Sequence, residues 1–315
     1  MAEKKIIAVT GATGAQGGGV ARAILDDPSK EFSVRAITRK PDSDKAKALA
    51  AAGAEVIAAD LDDLNSLIKA FTGAYGAYCV TNYWELFSPE KEMAQAKNLA
   101  VATKSAGIQH AIWSTLEDTR KFIPLSDDRM PTLMGKYKVP HFDAKGEADA
   151  YFKDAGTPTT FVMLSFYWEN LIYFGAGPQK GPDGKYYISY PMADKKMAGI
   201  AVEDIGPSVL SVFKNRPEFA GKSFGLAGDE LTIAQMAATL SNVLGKEILY
   251  NSVSADTYRG FGFPGADDMG NMFQFYADFE EYLHGARDVA LTRRLNPKAL
   301  NFQQWAQKYA ARIPL

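Results

Sequence analysis

Cysteine is almost absent from this chain, since Cys79 is the single cysteine among 315 residues. One thiol excludes a disulfide within the chain and a cysteine-based metal site. Histidine is nearly as scarce, and His110, His141 and His284 lie far apart without the spacing of metal ligands. The sequence therefore predicts no metal centre. The isolated thiol, between an aromatic and an aliphatic neighbour, indicates a buried strand and fits a reducing compartment.

An excess of charge of either sign is also missing. Lys and Arg total 35 and Asp and Glu total 37, which gives a net charge of -2. Such a chain lacks the electrostatic footprint for nucleic acid or an acidic membrane surface, so we expect neither as a partner. Gly11 and Gly14 interrupt the first apolar run before it could form a signal peptide or a membrane span. We therefore expect a cytoplasmic protein, with nuclear residence as a further option.

Apolar strands and amphipathic helices alternate through the first half of the chain. The predicted strands cover residues 6–10, 33–39, 55–59, 76–82, 110–115 and 160–164. The predicted helices between them cover residues 17–25, 43–52, 89–106 and 142–155. This order is typical of a Rossmann fold, a doubly wound parallel sheet whose ligand crevice lies at the carboxyl ends of the strands.

The second half of the sequence has a different character. We assign residues 1–165 to the Rossmann domain and residues 166–315 to a smaller α+β subdomain that forms a cleft, with interleaved contributions. Short strands are predicted at 186–190, 224–226 and 247–253, and helices at 233–243 and 273–283. Residues 116–140 form the longest irregular stretch, which predicts a functional or disordered loop.

Glycines spaced three apart join the first strand to the first helix. Gly11 permits a tight turn, Gly14 lets backbone N–H groups approach a pyrophosphate, and Gly17 lets the helix lie close to the sheet. The pattern is weak on its own. A buried strand before it and an apolar helix after it make a dinucleotide site the favoured interpretation.

The end of the second strand distinguishes the two nicotinamide nucleotides. An acidic residue there would bind the adenosine ribose, whereas this chain has Arg39 and Lys40, which suit a 2′-phosphate. The other interpretation is a pair of solvated loop cations. Their position after a glycine loop favours NADP(H).

Polar residues also follow the third and fourth strands. Asp60 could accept a hydrogen bond from the adenine amino group, with Leu61 over the ring. Asp62 or Asp63 could cap the next helix instead, and both roles are compatible because they use different carboxylates. The cofactor ribose is assigned to the residues that end the fourth strand, Thr81, Asn82 and Tyr83.

Longer motifs carry a resemblance to a known family. They are GATGAQGG at 11–18, TRKP at 38–41, TNYWE at 81–85, HFDAKGE at 141–147 and YWEN at 167–170. The motifs GPDGK at 181–185, GFPGADDMGNMFQFYA at 262–277 and LNPKAL at 295–300 extend the likeness over nearly the whole chain. The chain resembles the NmrA-like branch of the atypical short-chain dehydrogenase/reductases. Within that branch it is most similar to the HSCARG type, NmrA-like domain proteins described as NADPH sensors.

This resemblance implies binding of NADP(H) more firmly than it implies turnover. The implied contacts come from the glycine loop, the ends of three further strands, a helical lysine and a later aromatic segment. These residues are Gly11, Ala12, Thr13, Gly14, Ala15, Gln16, Arg39, Lys40, Asp60, Thr81, Asn82, Tyr83, Lys145, Tyr167, Trp168, Glu169 and Asn170.

The catalytic pair of the wider family is only half present. Active short-chain reductases use a Tyr-x-x-x-Lys pair, in which the tyrosine gives its proton to the substrate oxygen. Here the same spacing has His141 and Lys145, which share one face of a helix. Lys145 could still hold the nicotinamide ribose, and His141 could donate a proton or simply cap the helix. Tyr137 or Tyr151 could also replace the missing acid.

Two departures from the HSCARG type concern the loop and one helix. Residues 116–140 form a longer loop here, with a Lys-Tyr-Lys cluster at 136–138 that could close over the cofactor or contact a partner. Ala94 stands where the sensor type carries a cofactor-facing lysine, and Lys97 lies one turn further on.

Two functions are compatible with these residues. A non-catalytic redox sensor would bind NADP(H) and offer a changed surface to a protein partner or a second copy of the chain. An NADPH-dependent reductase would act on a small carbonyl, imine or enone substrate, with Ser114 and Thr115 hydrogen-bonded to a substrate carbonyl. The aromatic residues at 166–169 and 261–264 would line its pocket or belong to a core.

Overall fold

The computed structural model describes residues 4–315. Their strands are β1 (Lys5–Val9), β2 (Phe32–Thr38), β3 (Glu55–Ala58), β4 (Gly76–Cys79), β5 (His110–Thr115), β6 (Thr159–Leu164), β7 (Phe166–Tyr167), β8 (Gln179–Lys180), β9 (Tyr186–Tyr190), β10 (Lys196–Ile200), β11 (Ser223–Leu226), β12 (Asp229–Thr232), β13 (Ile248–Ser252) and β14 (Arg287–Asp288).

The α-helices of the same residues are α1 (Ala15–Asp26), α2 (Asp44–Ala51), α3 (Leu64–Phe71), α4 (Pro89–Ser105), α5 (Pro140–Ala155), α6 (Asn170–Tyr173), α7 (Val202–Lys214), α8 (Arg216–Phe219), α9 (Ile233–Leu244), α10 (Ala255–Arg259), α11 (Ala266–Asp278), α12 (Glu280–Ala286), α13 (Val289–Leu295) and α14 (Phe302–Tyr309). Short 3-10 turns occupy Tyr83–Glu85, Thr119–Lys121 and Ala310–Arg312. None of the helices described is long and apolar enough to cross a membrane.

The large sheet has the strand order β14-β11-β6-β5-β4-β1-β2-β3. Its strands run parallel, as in the pairs β1 with β2, β1 with β4 and β4 with β5. The order reverses at β1, which places the ligand crevice of such a sheet beside the carboxyl end of this strand. The predicted doubly wound parallel sheet is confirmed. Two small sheets, β12-β10-β7 and β13-β9-β8, provide the predicted α+β part.

The chain forms two compact units that interleave along the sequence. The first unit comprises Met1–Asp118, His141–Met163 and Val202–Phe224, and the second comprises Thr119–Pro140, Leu164–Ala201 and Gly225–Leu315. The residues expected as an irregular loop at 116–140 therefore belong mostly to the second unit. A core of buried side chains fills the first unit around the sheet, including Leu67, Phe71, Leu99, Trp113 and Phe152.

Local sequence signals account for the helix starts of the first unit. The side chains of Ser43, Asp63 and Ser88 accept hydrogen bonds from backbone N–H groups in the first turns of α2, α3 and α4. Asp63 is therefore the cap of α3, while the Asp62 carboxylate pairs with Lys91 at 2.7 Å. Of the two residues expected to cap this helix, Asp63 does so and Asp62 does not.

Two predicted elements are wrong in their extent. The helix expected at 273–283 is two helices, α11 and α12, because the backbone leaves the helical conformation at Phe279 (φ -122°, ψ 33°). The ring of Phe279 packs there against Phe122 and Phe275. The strand expected at 76–82 ends at Cys79, since the N–H of Val80 donates to the Thr10 hydroxyl instead of continuing the sheet.

A buried histidine at the start of β5 gives this fold a sensitivity to acid. His110 is fully buried, and its Nε2 lies 2.8 Å from the hydroxyl of Thr160. That hydroxyl donates to the carbonyl of Phe219, so it accepts from a neutral His110 protonated on Nε2. Within residues 4–315 the Nδ1 atom has no hydrogen-bond partner, and burial lowers the pKa of His110 from 6.5 to about 4.

We expect the free energy of unfolding to fall as the pH drops from about 6.5 to about 4. The unfolded chain binds a proton at His110 throughout this range, whereas the folded chain does not. One pKa unit corresponds to about 1.4 kcal/mol, so this residue accounts for a loss of roughly 3 kcal/mol. Urea unfolding at several pH values measures the loss.

The variant His110→Gln tests the assignment because the glutamine amide can still donate to Thr160 without titrating. Its unfolding free energy should vary less with pH over this range than that of the parent chain. An unchanged slope in His110→Gln would contradict the assignment.

Candidate functional site

The glycine loop connects β1 to α1 in the first unit. Gly11 has a φ of +58°, in the left-handed region that favours glycine, and its carbonyl accepts from the N–H of Gly14 at 2.8 Å. A Cβ on Gly17 would lie 2.3 Å from the carbonyl oxygen of Thr10. The close approach of helix and strand predicted for Gly17 is therefore present.

The start of α1 has the features of an anion site. Its N-cap residue, Gly14, makes no side-chain cap hydrogen bond, and its first turn contains no acidic residue. The first N–H groups of a helix lack intrahelical partners and carry the positive end of the helix dipole. The residues around this start, Gly11, Thr13, Gly14 and Ala15, are exposed or half-buried. This cradle fits the pyrophosphate of a dinucleotide.

Gln16 anchors the first turn of α1 onto the sheet. Its Oε1 accepts hydrogen bonds from the hydroxyls of Tyr78 on β4 and Ser114 on β5, each at 2.7 Å. Thr115 donates instead to the carboxylate of Asp149 at 2.6 Å. The hydroxyls of Ser114 and Thr115, expected to meet a substrate carbonyl, thus have protein partners.

The other predicted nucleotide contacts of the first unit follow β2, β3 and β4. Because parallel strands end at one edge of a sheet, these residues share the edge with the glycine loop. Asp60 accepts from the backbone N–H of Asp62 at 3.0 Å, and Leu61 packs on the core. Lys40 and Asn82 are exposed. The fold therefore brings the predicted adenosine contacts to one edge.

Arg39, at the end of β2, forms an ion pair with Glu85. Its Nη2 lies 2.7 Å and 2.9 Å from the two carboxylate oxygens, and both side chains are about half exposed. These hydrogen bonds raise the pKa of Arg39, and the charges of Asp60 and Asp62 act in the same direction. The guanidinium expected to bind a 2′-phosphate is therefore already paired with the Glu85 carboxylate.

Lys145 lies in a buried polar cluster with Thr81, which follows β4, and Glu92 of α4. Its Nζ is 2.9 Å from Oε1 of Glu92 and 2.8 Å from the hydroxyl of Thr81, which also donates to Glu92 at 2.7 Å. Glu92 is 2% exposed and Lys145 8% exposed. The ammonium also lies 5.1 Å from the ring centre of Trp113. The second oxygen of Glu92 is buried without a partner among residues 4–315.

His141 lies one turn before Lys145 and is enclosed by rings. Its imidazole is 4.7 Å from the ring centre of Trp84 and 5.8 Å from that of Tyr83. Phe142 packs against it as well. Tyr83 is buried, whereas Trp84 is 40% exposed. The imidazole that replaces the family's tyrosine thus joins an aromatic cluster that reaches the surface.

The remaining predicted site residues belong to the second unit. Tyr137 is buried, and its ring faces the cationic groups of Arg120 and Lys136. Trp168 packs between Phe302 and Trp305. Glu169 accepts a hydrogen bond from the Trp305 indole, and Asn170 begins α6. Tyr167 pairs with Ile200 of β10. Their roles towards a nucleotide stay predictions.

The aromatic residues expected to line a pocket or belong to a core differ in burial, since Phe166 is buried whereas Phe261 and Phe263 are 45% and 41% exposed. Phe166 packs with Tyr190 and Phe273, and Tyr258 packs with Phe261 and Phe263. A separate cavity of about 290 Å³ has Ser165, Met197, Tyr276 and Leu283 among its walls. No group of three or more potential metal ligands occurs in the part of the chain that the structure describes.

Glu92 and Glu85 are the site residues that the sequence interpretation missed. Glu92 stands on the face of α4 that also carries Ala96, Leu99 and Thr103, all buried. A carboxylate on an apolar face predicts a buried cationic partner, so the signal was present. Glu85 belongs to the TNYWE motif, but nothing local to that motif points to Arg39, 46 residues earlier.

Comparison with known proteins agrees with this fold. The chain is 29% identical over 291 residues to the NmrA-like family domain-containing oxidoreductase FrzB of Cladobotryum sp., covering 86% of this chain and 83% of that protein. In fold it is similar to NmrA, a negative transcriptional regulator, in complex with NADP (TM-score 0.77, 24% identity, 98% and 95% of the two chains). It is also similar in fold to the Citrobacter sp. triphenylmethane reductase complexed with NADP(H) (TM-score 0.77, 20% identity, 96% and 99%). Residues 3–306 match the NmrA-like family, to which this chain therefore belongs.

Proposed function

We propose that this chain binds NADP(H) and acts as a redox sensor in the cytoplasm or nucleus, passing nucleotide occupancy to a protein partner or a second copy. The observation that carries the proposal is the aromatic segment at residues 83–87. Its buried end, Tyr83, contacts His141, and its outer end exposes Trp84, Leu86 and Phe87. An event at the nucleotide edge can therefore reach the surface through one short segment.

Binding rests on the charges and N–H groups of the first unit. The uncapped start of α1 attracts the pyrophosphate, and Arg39 and Lys40 supply two cations at the end of β2 for a 2′-phosphate. NmrA, in its complex with NADP, and the triphenylmethane reductase have the same fold. Since NmrA is equally similar in fold in its complex with NAD, the preference for NADP(H) rests on the two cations at the end of β2.

The residues at the acid position favour sensing over turnover. When bound, a nicotinamide dinucleotide supplies hydride transfer, and a reductase must add a proton donor. Here the tyrosine is replaced by His141, packed among rings, and Lys145 is held by Glu92 and Thr81. The lysine can orient a ribose hydroxyl while no phenol stands at the family position.

Turnover of a small carbonyl, imine or enone is the second candidate. It is favoured by the name of FrzB, an oxidoreductase. In this case Lys145 orients the cofactor and His141 or Tyr137 gives the proton.

Calorimetric titration of NADP+, NADPH and NAD+ tests binding, with sedimentation velocity at each saturation to follow self-association. If the chain is a sensor, NADP+ and NADPH, which carry the 2′-phosphate, should bind more tightly than NAD+. Nucleotide binding should also change the association with a partner or with a second copy. Association that is identical with and without nucleotide would exclude it.

NADPH oxidation with a panel of aromatic carbonyls and enones tests the second candidate. Lys145→Met should abolish any turnover, whereas Lys153→Met, at an exposed position of the same helix, should leave it unchanged. Turnover that survives Lys145→Met would remove the roles assigned here.

A further inference from the structure

The ion pair between Arg39 and Glu85 occupies the cation that is proposed to bind the 2′-phosphate of NADP(H). One guanidinium nitrogen meets both carboxylate oxygens, at 2.7 Å and 2.9 Å. Asp60 and Asp62 add negative charge near the same guanidinium. A carboxylate and a phosphate use the same donors of arginine, so both cannot hold this nitrogen in the same geometry.

We propose that Glu85 determines nucleotide selectivity as a built-in competitor, which the 2′-phosphate of NADP(H) must displace from Arg39. The inference rests on the proposed function, because it concerns the same nucleotide edge. A 2′-hydroxyl carries no charge and leaves the ion pair in place. NAD(H) can therefore occupy the glycine loop without moving Glu85.

Displacement of Glu85 affects its whole segment because the segment is a single compact turn. The N–H groups of Leu86 and Phe87 both donate to the carbonyl of Tyr83. Phe87 has a φ of +50°, a conformation that side-chain-bearing residues rarely adopt. A turn held in this conformation relaxes when one of its anchors is released.

The released turn carries the rings that enclose His141. Trp84 and Phe87 are 5.7 Å apart between ring centres, and the Trp84 ring packs against the imidazole at 4.7 Å, inclined to it by 49°. Movement of Glu85 therefore changes both the surroundings of His141 and the apolar surface formed by Trp84, Leu86 and Phe87. A ligand shifts the equilibrium between the turn with Glu85 paired to Arg39 and the turn with Glu85 released only if it binds one of the two more tightly. The 2′-phosphate does so because it binds Arg39 only when Glu85 is released.

Two fragments of the cofactor isolate this effect. Adenosine 2′,5′-bisphosphate carries the 2′-phosphate, and adenosine 5′-monophosphate lacks it. The variant Glu85→Gln removes the competing charge but keeps the size of the side chain. We expect it to bind the bisphosphate about two- to fivefold more tightly than the parent chain does, with little change for the monophosphate.

Glu31→Gln is the matched control, since Glu31 forms a similarly exposed ion pair with Lys5 at the amino ends of the strands. It should bind both fragments as the parent does. An equal ratio of the two affinities in Glu85→Gln and the parent would overturn the inference alone. Failure of the parent chain to bind either fragment or NADP+ would overturn the proposed function as well.

Trp84 reports the movement directly because Trp113, Trp168 and Trp305 are buried. Acrylamide quenching of tryptophan fluorescence should change with saturating bisphosphate and stay constant with saturating monophosphate. Trp84→Phe should remove the change. A response that is equal for both fragments would contradict the displacement.

Discussion

Replacing Glu92 by alanine should lower the free energy of unfolding by about 3–5 kcal/mol, because it leaves a buried ammonium without its carboxylate. Lys145 is 8% exposed, and its remaining contacts are the hydroxyl of Thr81 and the face of Trp113. Neither carries a negative charge. Urea unfolding followed by circular dichroism and tryptophan fluorescence measures the loss.

A paired substitution separates charge from packing. In Glu92→Leu combined with Lys145→Met, both charges are replaced by apolar groups of similar length, so most of the stability should return. Glu90→Ala, at an exposed position in the first turn of the same helix, should cost no more than about 1 kcal/mol, the size expected for an acidic group near a helix N-terminus. Loss of under 1 kcal/mol in Glu92→Ala would mean that the pair is far better solvated than its burial indicates.

The substitution Gly17→Ala should weaken nucleotide binding by more than about a hundredfold. It should also lower the free energy of unfolding by about 1–3 kcal/mol. The added Cβ would lie 2.3 Å and 2.5 Å from the carbonyl oxygens of Thr10 and Gly11. Both are backbone atoms, so α1 must move away from β1. This movement displaces the N–H groups that would hold the pyrophosphate.

Gly19→Ala is the control for this substitution, because it lies on the same helix. Its added Cβ would be 3.7 Å from the nearest atom, which is ordinary contact, and alanine favours a helix. Calorimetry with NADP+ and thermal unfolding should show the parent affinity and an equal or higher midpoint. Nucleotide binding by Gly17→Ala with parent affinity would remove the glycine loop from the site.

Local patterns in the sequence predicted the first unit well. The strand at His110–Thr115 and the helix starts near Ser43 and Pro89 follow from apolar periodicity and from residues that favour N-caps. The parallel order of the sheet follows from the alternation of strands and helices. These features depend on neighbours within a few residues, so they can be recognised without knowledge of the tertiary structure.

Pairings across long stretches of chain could not be predicted in the same way. Thr81 and Lys145 are 64 residues apart, and Arg39 and Glu85 are 46 apart, so only the packed fold brings them together. The break at Phe279 has a similar origin, since it depends on ring contacts with Phe122. The sequence therefore identified Arg39 and Lys145 as cations of the site. It did not identify Glu85 and Glu92 as their partners.

Cys79 lies in β4 with no exposed surface, and burial raises the pKa of its thiol. A thiol of this kind forms little thiolate, the nucleophile that attacks peroxides and disulfides. Because the chain has no other cysteine, oxidants acting on thiols meet an inert protein. A redox signal of the kind proposed for this chain therefore has to arrive as a small molecule, because it cannot act through oxidation of a reactive thiol.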